Sequence, residues 1–239
     1  MTSRPDVPVA APNRLGPDEG VAVHEAIDRV VRNGPWILGD PVAAFEAAWA
    51  AYAGHPEVVG VGNGTDALVL AFTSLGLSPG ADVLVAAVEG GYAATAARLA
   101  GLVPRVLDVD PRTMGPTVEV VAAAHGPGVE AIVVTHLHGD AVPLADLDRW
   151  RRRHGLALVE DCAQAHGLRV DGRHVGTTGD AATYSFYPTK NLGAVGDGGA
   201  VAFADAAHAA KATRLRQYGW GERFRVETTG GRNRVAFAA

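Results

Sequence analysis

From residue 58 onward, short β-branched runs alternate with Ala- and Leu-rich stretches at helical spacing. The apolar pattern predicts strands over 58–61, 82–87, 104–109, 131–135 and 156–160, with two more over 182–186 and 200–203. Between and after them it predicts helices over 65–75, 92–100, 118–124, 143–154 and 205–218. Two helices precede this series. In the first, over 17–32, Val21, Ile27, Val30 and Val31 recur at roughly helical spacing, and Asp18 and Glu19 sit where carboxylates favour the helix dipole. Asn33-Gly34-Pro35 ends it. The second, over 41–53, opens on Pro41 and stops at Gly54. Strands alternating with helices of this length imply crossover connections and a mainly parallel sheet covered on both faces, an α/β fold. Nothing resembling a repeat or linker divides the chain. The expected organisation is an N-terminal helical segment, 1–54, packed on a main α/β domain, 55–225.

Composition narrows the function classes. At 239 residues, 48% hydrophobic and 20% charged, the chain has the make-up of a globular protein rather than a disordered one. A net charge of −5 argues against a generic nucleic-acid binder. The densest basic run, Arg151-Arg152-Arg153, reads as the solvated face of a helix. One cysteine, Cys162, excludes an internal disulfide framework and a Cys-rich zinc site. The longest apolar stretch, around 83–103, is broken by Glu89 and Arg98, so no membrane span is expected. With no apolar leader at the N-terminus, the expected location is the cytoplasm. Lys190 and Lys211 are the only lysines among 21 basic residues. Arginine meets the general need for positive charge here, so a lysine in an unusual place points to a need for an amine that can lose its proton or condense with a carbonyl.

Ligands in open α/β sheets bind beyond the carboxyl ends of the strands. Three features lie there. Gly60-Val61-Gly62-Asn63-Gly64-Thr65-Asp66 either cradles an anion on the free N–H groups of a helix start or is a tight turn capped by Thr65 or Asp66. It is neither a P-loop nor GxGxxG. Asp161 follows the apolar run ALALVE, so it is either a buried carboxylate needing a partner or a helix cap. Lys190 lies between a buried strand and the glycine-rich run 193–199, whereas Lys211 sits on a helix and reads as surface. An anion cradle, a buried acid and an isolated amine together suit pyridoxal phosphate (PLP), which needs all three.

The segments GNGTDAL, EDCAQAHG and SFYPTKNLGAVGDGGAV resemble the DegT/DnrJ/EryC1/StrS family of sugar aminotransferases, over about 12–233. The resemblance implies a fold-type-I, aspartate-aminotransferase-like α/β fold and PLP as cofactor. It implies Lys190 as the lysine that bonds PLP and Asp161 as the partner of the pyridine nitrogen. Gln164 would lie beside the ring and Tyr92 would stack on it. Ser185 and the backbone at Gly64, Thr65 and Asp66 would bind the phosphate. His166 is a weaker candidate, and Asn233 would reach the cofactor of a partner subunit. The implied reaction moves an amino group, commonly from L-glutamate, to a keto sugar on a nucleotide, in a homodimer. The chain departs from the family pattern at Val88-Glu89-Gly90-Gly91 and at Thr135-His136-Leu137-His138-Gly139, which bears on substrate identity. The resemblance also implies that 226–239 begins a C-terminal domain cut short. The alternative reading is therefore a catalytically impaired pseudo-aminotransferase, or a partner of a full-length relative.

Overall fold

The structure, a computed structural model, describes residues 15–222 and 224–228. The expected start of a C-terminal region, and with it Asn233, falls almost entirely outside the described residues. Two helices, α1 (Pro17–Asn33) and α2 (Asp40–Ala53), lead into the series β1 (Glu57–Val61), α3 (Gly64–Leu75), β2 (Asp82–Ala86), α4 (Tyr92–Leu99) and β3 (Val103–Leu107). It continues with α5 (Val118–Ala124), β4 (Val129–Thr135), α6 (Ala145–Arg153) and β5 (Ala157–Asp161). Then come β6 (Arg169–Val170), β7 (Arg173–His174), β8 (Ala181–Ser185), β9 (Gly199–Phe203), α7 (Ala206–Arg216), β10 (Trp220–Glu222) and β11 (Arg225–Val226).

Seven strands form one sheet in the order β1-β9-β8-β5-β4-β2-β3. Strands β8, β5, β4, β2 and β3 run parallel, while β9 is antiparallel to both β8 and β1. β1 therefore regains the common direction. The carboxyl ends of β1 and β8 flank the start of β9, with Val61, Gly199 and Ser185 side by side in the register. The sheet is an α/β sandwich, as the apolar runs predicted, with the direction of β9 as the one exception to parallel order. Two-stranded hairpins β6–β7 and β10–β11 add elements too short to leave an apolar signature.

Successive residues of each strand face opposite layers, and both layers are apolar. Val83, Val85, Ala131, Val133, Val159, Val201 and Phe203 pack with Leu68, Leu70 and Phe72 of α3, and with residues of α4 and α7. The intervening Leu84, Ile132, Val134 and Leu158 pack on the other face with Val121 of α5 and Leu147 of α6. Ala182, Tyr184, Ala200 and Ala202 meet Trp49, Ala50 and Ala53 of α2 on that same side of β8 and β9. No residue of α1 is fully buried. It borders an apolar groove shared with Phe45, Phe186 and the 192–195 segment.

Buried charges fasten the sheet's rim. The Glu46 carboxylate of α2 accepts from Gly60 N–H at 2.7 Å and pairs with Arg216 of α7, which also donates to Gly60 C=O at 3.1 Å. Both backbone groups of Gly60 on the outer side of edge strand β1 are thereby satisfied, which blunts that edge at this point. The triple-arginine run is not one solvated face. Arg151 is only 3% exposed. It pairs with Asp148 at 2.8 Å and with Asp180, and donates to Leu156 C=O. A run of like charges hides this because the compensating acid, Asp180, is distant in sequence.

The start of β9 is the tightest point of the sheet. A methyl group on Gly199 would overlap the backbone carbonyl of Asn63. Gly199→Ala must therefore push β9 or the β1–α3 turn aside, at a cost of roughly 1–3 kcal/mol or more. Gly126, with no atom within 4 Å of the corresponding position, is the control. Thermal unfolding is expected to show a midpoint lowered by several degrees in Gly199→Ala, at about 2–4 °C per kcal/mol for a chain of this size. Gly126→Ala should stay close to the parent.

Candidate active site

A cavity of about 620 Å³ opens at the carboxyl ends of β1, β5 and β8, bounded by the start of α3. Gly64, Thr65, Asp66, Tyr92, Asp161, Ser185 and Lys190, all singled out from the sequence, line it together. Asn63, Ala163, Tyr187, Thr189 and Asp197 line it as well. Gln164 is not among the lining residues; its Oε1 accepts from His138 N–H at 3.1 Å, so its carbonyl serves the turn after β4.

The α3 end is built by Asn63. Its Oδ1 accepts from Asp66 N–H at 2.9 Å, and its Nδ2 donates to the Asp66 carboxylate at 3.1 Å. Asn63 is thus the helix cap, in place of the Thr65 or Asp66 expected from sequence. Asp66 N–H is committed to this cap, and Ala67 N–H to Asn63 C=O. Gly64 and Thr65 N–H have no acceptor among the described residues, so the helix start presents two free donors and a positive dipole end. A side chain on Gly64 would come within 2.8 Å of Ser185 Cβ, so glycine is what lets this backbone reach β8. The Asp66 carboxyl titrates above its usual range, through burial and then through Asp197 across the cavity.

Beneath the cavity floor, two neighbouring carboxylates have opposite surroundings. Glu160 is fully buried and accepts four hydrogen bonds: Thr178 N–H and Gly179 N–H on Oε1, Gly176 N–H and His136 Nε2–H on Oε2. His136 Nδ1 accepts from Val142 N–H at 3.1 Å, which fixes the ring proton on Nε2. Burial alone would raise the Glu160 carboxyl, but the His136 bond and the backbone donors leave it below the usual range. Asp161 is 5% exposed and has a single bond, from Ala163 N–H at 3.0 Å. Burial raises its carboxyl, the Ala163 bond opposes that, the Glu89 charge adds to the rise and the Lys190 charge lowers it. Asp161 is therefore a buried acid with no ion-pair partner among the described residues, at the edge of a cavity large enough to bring one.

Lys190 lies half-buried in the 187–193 turn after β8, and its amine has no hydrogen-bond partner among the described residues. Tyr92 heads α4, with its ring edge over Gly90, where a side chain would come within 3.0 Å. Tyr92 is 56% exposed and Tyr187 52%, so two aromatic rings stand at the open side of the cavity. The buried Glu89 carboxylate accepts from Ala93 N–H at 2.8 Å and Ala94 N–H at 3.3 Å, capping the helix that carries Tyr92. The residues missed from sequence have weak signals. Asn63 could have been found as a cap, while Tyr187 and Asp197 are placed by tertiary contacts alone.

The sequence and the fold have counterparts among known proteins. Residues 17–236 match the profile of the DegT/DnrJ/EryC1/StrS aminotransferase family. A dTDP-3-amino-3,4,6-trideoxy-alpha-D-glucose transaminase from Micromonospora megalomicea subsp. nigra is 42% identical over 215 residues, covering 90% of this chain and 58% of the relative. The structure of S. venezuelae DesV in complex with a ketimine intermediate superposes with a TM-score of 0.91 at 36% identity, over 97% of this chain and 62% of that one. NtdA from Bacillus subtilis with bound cofactor PMP gives a TM-score of 0.89 at 26% identity, over 97% of this chain and 53% of that one. The chain thus spans little more than half the length of such relatives.

Two half-buried histidines make the region's stability pH-dependent. His55, bonded through Nε2 to Tyr184 Oη at 2.7 Å, titrates at about 4, lowered by burial first. His166 also titrates at about 4, lowered by burial and then by Lys190. Both take up protons more readily when unfolded, near 6.5. The stability this implies is full above 6.5 and is lost as pH falls towards 4. Asp161, with its raised carboxyl, acts in the opposite sense. Urea unfolding at pH 6.5 and 5.0 isolates the His55 part: the parent should lose more stability over that interval than His55→Gln. Equal losses would show that His55 is not buried as a neutral ring.

Proposed function

The chain belongs to the DegT/DnrJ/EryC1/StrS aminotransferase family, and from that premise we propose that its cavity holds PLP for the transfer of an amino group to a nucleotide-linked keto sugar. L-glutamate is the proposed donor class. The observation that carries the reading is Asp161: a buried acid without an ion-pair partner faces the same cavity as an unengaged amine and a helix start with free donors. These are the three demands of PLP, met by residues whose packing leaves room for it. The absent side chain of Gly64 supports the fit, because any larger residue would fill the cradle against Ser185.

In this assignment Gly64 N–H, Thr65 N–H and the Ser185 hydroxyl hold the phosphate, and Asp66 contributes through its place in the cap. Asp161 holds a proton on the pyridine nitrogen, its ionised form stabilised by the cation it lacks in the structure. When bound, PLP supplies an electron sink for the carbon that loses its proton. Lys190 supplies the amine that holds the cofactor and then moves a proton at that carbon, as general base and then as general acid. Tyr92 and Tyr187 present ring faces to the open side. The proposed assembly is a homodimer of soluble chains; among the described residues, no helix is long and apolar enough to cross a membrane.

Borohydride reduction after incubation with PLP tests the amine. Parent protein and Lys211→Ala should retain covalently fixed cofactor, and Lys190→Ala should not. A fixed adduct in Lys190→Ala would overturn the assignment. Asp161→Asn tests the acid. It should still bind some PLP, while deuterium exchange at Cα of L-glutamate falls by orders of magnitude. An unchanged exchange rate would remove Asp161 from the chemistry.

A further inference from the structure

The turn bearing Lys190 is held by few bonds. Lys190 N–H donates to Tyr187 C=O at 2.8 Å, and Ala194 N–H donates to Phe186 C=O at 2.7 Å across the turn's base. Tyr187 N–H makes a longer contact with Ser185 Oγ at 3.4 Å. Each of these bonds stays within the local segment. The exception is Leu192 N–H, two residues beyond the lysine, which donates to His166 Nδ1 at 3.2 Å.

His166 lies five residues beyond Asp161, so this bond joins the segment carrying the acid to the turn carrying the amine. The imidazole is wedged among aromatic rings: Trp49 at 5.3 Å and 77°, Phe186 at 5.3 Å and Tyr184 at 6.0 Å between centroids. Trp49 belongs to α2 and Tyr184 to β8, and Phe186 directly follows β8; all three are buried. Because Nδ1 accepts, a neutral ring carries its proton on Nε2, and Nε2 is buried with no hydrogen-bond partner among the described residues. The side chain thus spends one buried polar atom, at a cost, to place the other against Leu192. A ring kept only for packing would not need a nitrogen there.

We propose that His166 is a positioning residue for Lys190: by accepting Leu192 N–H it pins the 187–193 turn to the Asp161 segment and sets the amine opposite the acid. Its neutral state suits this role. A proton on Nδ1 would abolish the acceptor and add a second positive charge beside Lys190. Burial lowers its titration to about 4, so the pin holds throughout the neutral range. The proposal rests on the reading of Lys190 as the amine that holds the cofactor, but the pin itself can be measured without cofactor.

Amide hydrogen exchange on the cofactor-free chain is the first readout, comparing the parent with His166→Phe, which fills the aromatic wedge without an acceptor, and with His166→Asn, which restores one. Leu192 should exchange about five- to tenfold faster in His166→Phe, the effect of losing one ordinary hydrogen bond, and recover part of the way in His166→Asn. The rate at which borohydride fixes PLP to Lys190 should fall severalfold in His166→Phe and recover in His166→Asn. Unchanged Leu192 exchange in a folded His166→Phe would overturn the pin. Faster exchange with unchanged PLP fixation would overturn its role towards Lys190. Should His166→Phe fail to fold, 15N NMR of the parent's imidazoles decides. A His166 ring protonated on Nε2 with a hydrogen-bonded Nδ1 supports the pin, and the Nδ1-protonated tautomer refutes it. If the parent itself fixes no PLP, the functional reading fails, and exchange and NMR still judge the pin.

Discussion

The centre of the molecule depends on one buried carboxylate being fully satisfied. Glu160 gathers donors from β4's end, through His136, and from the 176–179 segment that leads into β8. A charge at that depth is tolerable only with such a complement of donors. The three strands it ties together are those that bear His136, Asp161 and Ser185. The spacing between Asp161 and Ser185 therefore follows from an interaction that lies outside the cavity. Its neighbour Asp161 shares the strand and the burial and lacks the donors. The same chain direction thus places a completed electrostatic unit and an incomplete one side by side, and the incomplete one faces the cavity.

This arrangement divides labour between faces of the fold. Apolar alternation holds the sheet rigid, since both sides of every central strand are packed. The polar groups concentrate where strands end and helices begin, where backbone donors are unspent. The proposed reading assigns chemical roles to these groups, and the geometry shows which of them are already engaged elsewhere. Asp66 N–H and the Gln164 carbonyl are engaged in capping and turn bonds, whereas Gly64 N–H, Thr65 N–H and the Lys190 amine have no partner among the described residues.

Much of this was legible in the sequence because the signals are local. The β-branched runs of β2, β4 and β5 and the Gly54 stop mark elements without reference to neighbours. Strand direction has no such signature: GAVAF reads the same in either orientation, so the antiparallel β9 was invisible. The hairpins β6–β7 and β10–β11 are too short to show a period. Arg151 was misread because its partner Asp180 lies far along the chain, and burial is a property of the pair. The candidate residues converge in one cavity except Gln164 and His166, which do not line it, and Asn233 lies beyond the described residues. Tyr187, Asp197 and Glu89 were passed over because nothing in their spacing distinguishes them. Only the fold brings them to the cavity or to the helix that carries Tyr92.

The close approaches of Gly64 to Ser185 and of Gly199 to Asn63 have an evolutionary side. At both points backbone fills the space that a side chain would need, so neither position can be varied without moving a strand. Diversification in a lineage built on this scaffold is therefore steered away from the α3 end. The opposite wall, where Tyr92 and Tyr187 are more than half exposed, carries no such constraint. One end of the cavity is fixed by backbone and the other is formed by side chains, so the two walls differ in how freely a lineage can rewrite them.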